Sequence, residues 1–148
     1  MTIDELLRLA PDAALTVLNK PFAYAGKCVL ALDGDGERQW LFEEDGGMLA
    51  LSPADDEILF FEAVDETLEP EDGMILFRGK EFEFSYEDAG AVTAAEGAIE
   101  AEEEDRYGFS DYESDAGGVV RLVTNENTGE THSYVGMTVV EDDILNAE

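Results

Sequence analysis

Positive charge is what this chain has least of. Eight Lys and Arg stand against 37 Asp and Glu, a formal net charge of -29 over 148 residues. Binding to bare nucleic acid or to an anionic membrane surface needs a basic face, so neither is an expected partner. Cysteine is nearly absent too. Cys28 alone excludes an intramolecular disulfide and fits a reducing compartment. His132 is the only histidine, and zinc sites take several His or Cys at set spacings, so one His and one Cys far apart in the sequence cannot make one without carboxylates. No apolar run approaches the ~20 residues that span a bilayer. Asp4 and Glu5 stand where a signal peptide carries basic residues. The localisation these absences imply is cytoplasmic, without direct membrane insertion. There is no phosphate-cradling Gly-rich loop and no Ser in a nucleophile elbow, so no cofactor and no catalytic residue is assigned.

What is present is enough to fold. Eight Phe, five Tyr and one Trp, within a 45% apolar fraction, are too many for a disordered acidic tail. At this length one domain buries roughly 70% of the surface of its unfolded chain. The acids therefore coat a folded body.

Thr2 and Glu5 have the spacing of a capping box, and Ile3, Leu6, Leu7 and Leu9 follow at near-helical intervals. We read residues 1–20 as an N-terminal helical segment packed on the domain, interrupted at Pro11 and ended at Pro21. Beyond it the period shifts to two. Residues 27–32 and 38–43 flank Asp33-Gly34-Asp35-Gly36-Glu37, a hairpin signal, and residues 48–52 and 57–63 continue a first strand group over 22–64. An acidic connector, 65–73, leads to a second group over 74–145. There Phe82, Phe84 and Tyr86 alternate with Glu81, Glu83 and Ser85. Residues 89–101 read as a strand with a bulge at Gly97, and 118–124 and 130–137 form another hairpin. The expectation is one mainly β domain over 21–148, its antiparallel sheets forming a sandwich or an open barrel-like array.

Four groups of residues bear on chemistry. Asp33, Asp35, Glu37 and Glu44 partly follow the acid spacing of a calcium loop, but Arg38 stands where the turn glycine belongs. Glu96, in an Ala/Gly-rich stretch, is the best candidate for a buried acid. Cys28 reads as a small core residue and His132 as a half-exposed strand residue. The stretch 102–115 has the most unusual composition. Glu102, Glu103, Asp105, Tyr107, Phe109, Asp111 and Tyr112 interleave rings with carboxylates, a pattern that suits an organic cation. The bland reading of that stretch is a long hairpin loop.

Arg78-Gly79-Lys80, Phe82, Phe84, Gly90, Ala91, Glu96-Gly97, Tyr107, Asp111-Tyr112, Gly118, Thr128-Gly129-Glu130 and Tyr134-Val135-Gly136 together form a recognisable framework. Gln39-Trp40-Leu41 and Asp45-Gly46-Gly47 extend it into the first half. Over roughly residues 22–140 the chain resembles a bacterial family catalogued as domain of unknown function 4178. The resemblance implies a soluble β-rich domain of unestablished activity, in some genomes beside genes for polyamine synthesis and small membrane proteins. It supplies no catalytic residue.

The function expected from the sequence is a non-enzymatic accessory domain that engages a polyamine or a basic protein. Two other readings stay open: an acidic mimic of DNA that blocks a DNA-binding protein, and acidity that only adapts the surface to high salt.

Overall fold

The computed structural model describes residues 1–34 and 36–147. Among the described residues one short α-helix, α1 (Ile3–Arg8), precedes eleven strands. These are β1 (Ala14–Val17), β2 (Lys20–Leu32), β3 (Glu37–Glu43), β4 (Met48–Ser52), β5 (Glu57–Val64), β6 (Met74–Phe77), β7 (Lys80–Gly97), β8 (Arg106–Glu113), β9 (Gly118–Asn125), β10 (Thr131–Val139) and β11 (Ile144–Asn146).

All pairings are antiparallel, and the sheet closes on itself. The order β2-β3-β4-β5-β10-β9-β8-β7 returns to β2 through pairs such as Gly26 with Gly97 and Leu32 with Gly90. The result is an eight-stranded barrel, neither a sandwich nor an open array. Closure satisfies the strand edges that an open sheet would leave bare. β7 makes it possible by its length. Its first residues pair with β6, its middle with β8 and its last stretch, from Gly90 to Gly97, with β2.

The capping box forms as its spacing predicts. Thr2 Oγ1 accepts from the Glu5 N–H at 3.1 Å, and the Thr2 N–H donates to Glu5 Oε1 at 3.1 Å. The helix nevertheless stops at Arg8. Within the rest of the expected helical segment, residues 14–17 form strand β1, held between β2 and β11. Leu18 and Asn19 both take positive φ, 51° and 64°, the left-handed pair that a tight two-residue hairpin requires. Pairing on both sides overrides the helical leaning of the alanines and leucines.

Three apolar cores follow from strand alternation. Inside the barrel lie Cys28, Leu30, Trp40, Met48, Leu59, Phe61, Val92, Phe109, Val119 and Val123. On one outer flank α1, β1 and β11 cover Leu41, Leu49, Leu51, Ile58 and Phe60. On another, Leu68, Ile75 and Phe77 cover Phe82, Tyr112 and Val120. Strands approach closely where Gly136 faces β5, because a Cβ there would collide with the Phe60 carbonyl oxygen. The expected bulge at Gly97 sits elsewhere. Thr93 is the extra residue, since Val29 pairs with Ala94 and Leu30 with Val92. Gly97, at φ +88°, ends β7 and turns the chain into the 98–105 loop.

Candidate functional site

That loop helps to frame a cavity of about 660 Å³ at one end of the barrel. β3 ends there, β4 begins there, and the β9–β10 hairpin turns over it. Rings of Trp40, Phe42, Tyr107 and Tyr134 line it, with carboxylates of Glu43, Glu44, Glu100, Glu102, Asp105 and Glu130. Among the described residues no Lys or Arg does so.

The aromatic part is built from three strands. Trp40 on β3 is fully buried and meets Phe42, Tyr107 and Phe109 edge-on at centroid distances of 6.5, 6.1 and 5.6 Å. Its indole N–H has no acceptor among the described residues. Phe61 packs on Tyr134 at 6.3 Å. Burial pushes the Tyr134 phenol up to about 12, so at neutral pH it stays an uncharged hydroxyl.

The acidic part is held by the loop. Ile99 packs against the barrel interior and Ala101 is buried in it, which anchors the segment. Within the loop, the Asp105 carboxylate accepts from the Glu102 N–H and from Asn127 Nδ2, each at 3.1 Å, tying the loop to the β9–β10 turn. The Glu43 carboxyl is raised above the usual carboxylate range, first by burial and then by the charges of Asp45 and Glu62. The cavity therefore concentrates negative potential beside low-dielectric walls.

Deeper in the barrel the chain places its own cation. Arg121 on β9 donates to both oxygens of Asp111 on β8, at 2.7 and 2.8 Å, and both residues are buried. The guanidinium also lies 4.7 Å from the Phe109 ring centre and 4.9 Å from that of Phe61.

The residues expected to bind a cation are thus divided. Glu102, Asp105 and Tyr107 line the cavity. Glu103 is exposed beside it, at the loop surface. Phe109 belongs to the interior core, Asp111 is committed to Arg121, and Tyr112 points to the outer flank with Phe82 and Val120. Residues 106–113 are strand β8 rather than loop, and alternation sends adjacent residues to opposite faces. Trp40, Phe42, Tyr134, Glu100 and Glu130 join the site from distant parts of the sequence.

Of the expected calcium ligands, Asp33 and Glu37 are not brought together with Glu44. Asp33 and Glu37 flank the β2–β3 turn, while Glu44 follows the far end of β3, about 23 Å along an extended strand from Glu37. Arg106 occupies Asp33 through a charged hydrogen bond that holds its carboxyl below the usual range. Asp35 lies outside the described residues. Glu96 is exposed and sits 3.4 Å from Lys27 Nζ, so it is not the buried acid its neighbours suggested. Cys28 is fully buried in the interior core. His132 is exposed on β10 and lines the cavity rim.

No helix among the described residues is long and apolar enough to cross a membrane. Neither the curated proteins nor the solved structures contain a significant match to the chain. A family model, that of the domain of unknown function DUF4178, does match the chain. It covers residues 23–141, from β2 to the turn after β10, and the chain belongs to that family.

Proposed function

We propose that this domain is a non-enzymatic binding module whose barrel mouth takes an organic cation of the polyamine or alkylammonium class. One observation carries the reading. Four aromatic side chains and six carboxylates line a single cavity that no lining Lys or Arg neutralises. Its volume, about 660 Å³, lies in the range of small-molecule sites. A desolvated cation over an aromatic face gains up to ~2 kcal/mol, and the surrounding carboxylates add attraction that an inorganic ion atmosphere does not direct. The 98–105 loop, tied down through Asp105 and anchored by Ala101, supports a preformed site.

Trp40 is the only tryptophan, so its emission reports on the cavity directly. Spermidine and tetramethylammonium, titrated at a constant ionic strength of about 0.15 M, are expected to give saturable changes. Tyr107→Leu and Glu102→Gln are each expected to weaken them. Changes that follow ionic strength alone, and are equal for Na⁺, refute the reading. The high-salt alternative is separated by melting against NaCl. Screening of self-repulsion saturates near 1 M, where the Debye length is ~3 Å, whereas adaptation to salt continues beyond it.

A further inference from the structure

The only histidine of the chain stands at the rim of the same cavity, and two carboxylates stand with it. Glu130 directly precedes β10 and His132 is its second residue, so a spacing of two projects both to one side of the extended chain. Glu100 is carried by the 98–105 loop, whose flanking Ile99 and Ala101 pack into the barrel interior. One ligand atom from each of Glu100, Glu130 and His132 lies within 4.8 Å of the others. Two donors on a common ion at ~2.1 Å stand about 3.4 Å apart at a tetrahedral angle. All three side chains are exposed, so small rotamer changes close the gap. Among the described residues none of the three forms an ion pair with Lys or Arg. The neighbouring carboxylates of Glu43, Glu44, Glu102 and Asp105 leave the cluster with no lining Lys or Arg to balance it.

We infer that Glu100, Glu130 and His132 form a site for a divalent transition-metal ion of the zinc, cobalt or manganese type. The imidazole is what distinguishes this cluster from the many acid pairs on the surface. Calcium and magnesium take oxygen ligands, whereas an imidazole with two carboxylates suits first-row transition metals. Three protein ligands leave at least one coordination position open. The site shares Glu100 and Glu130 with the cavity proposed for an organic cation, and His132, which has no part in that reading, is the residue that separates the two.

The test is a titration of the full chain with Co²⁺ at constant ionic strength, followed by visible ligand-field absorption, with Zn²⁺ as competitor and Ca²⁺ as control. One Co²⁺ per chain is expected, displaced by Zn²⁺ and not by equimolar Ca²⁺. His132→Asn is expected to abolish the absorption. Glu100→Gln and Glu130→Gln are each expected to weaken binding at least about 10-fold, the loss that even outer-shell substitutions bring. All three substitutions are on exposed side chains, and unchanged melting curves verify the fold. The inference is overturned if Co²⁺ does not bind, or if H132N binds it as tightly as the parent chain. It is equally overturned if Ca²⁺ competes one-for-one, the behaviour of a diffuse counter-ion cloud. Spermidine titration of H132N, read by Trp40 emission, separates the two proposals: organic-cation binding persists there while Co²⁺ binding is lost.

Discussion

Removing the Asp111 carboxylate strands a guanidinium inside the barrel. Arg121 is 4% exposed, and its two hydrogen bonds to Asp111 provide its only ion pair among the described residues. The rings of Phe61 and Phe109, at 4.9 and 4.7 Å, soften the loss but carry no formal charge. Breaking a buried pair from one side costs about 3–5 kcal/mol, a large share of the 5–15 kcal/mol that holds a typical domain. For 148 residues, an unfolding entropy of ~2.1 cal/mol/K per residue converts this into a fall in Tm of about 10–16 °C. Asp111→Ala is therefore expected to lose that much by thermal or urea denaturation. The double variant D111L/R121M, which removes both charges, is expected to recover most of it, giving a large coupling energy in a double-mutant cycle. A loss below about 1 kcal/mol for D111A would refute the buried-pair account. So would a double variant equal to the sum of the two singles. The same series checks the assignment of Asp111 to structure, because spermidine affinity per folded molecule is expected to stay unchanged in the double variant.

Two further outcomes follow from perturbed groups. The Glu43 carboxyl is raised by burial and by Asp45 and Glu62, so its ionised form opposes folding. Its favourable contribution is complete below the unfolded value, near pH ~4, and is lost as pH rises through the higher folded value. Glu43→Gln is expected to melt above the parent chain at pH 7 and level with it near pH ~4; equal melting at both values would remove the assignment. Burial likewise pushes the Cys28 thiol up to about 12, so a thiol reagent at pH 8 is expected to react slowly with the native chain and fast after denaturation. Rapid native labelling would place Cys28 outside the interior core.

The hairpins were legible because their signals are local. Asp45-Gly46-Gly47 and Asn125–Gly129 stand between apolar runs, and turn chemistry acts over four or five residues. The sequence also suggests a turn at Gly79-Lys80, which falls one residue earlier, at Arg78-Gly79, since Lys80 already pairs with Phe77. Residues 14–17 misled because Ala14, Leu15 and Leu18 favour helix, and only the neighbours β2 and β11 make them strand. Barrel closure was not legible, since the pairing of Gly26 with Gly97 joins residues far apart in the chain. The stretch singled out by composition places Glu102, Asp105 and Tyr107 along the cavity but Phe109, Asp111 and Tyr112 elsewhere, where alternation and packing hold them. One signal could have corrected this. Arg121 lies mid-run in the apolar strand GVVRLV, and a charge in such a place requires a partner.

The sequence by itself determined the class of the molecule. Its period-two patterning, turn residues and Gly/aromatic framework specify antiparallel strands, and its acid excess determines the sign of the charge it can attract. Those properties reside in single residues and their near neighbours. Only the tertiary structure decided which acids count. Closure brings Glu100, Glu130 and His132 to one rim, sets Trp40 against Tyr107, and commits Asp111 to Arg121. Of 37 acids, the few beside aromatic walls are distinguished by position alone, and position is a property of strand pairing across the whole chain.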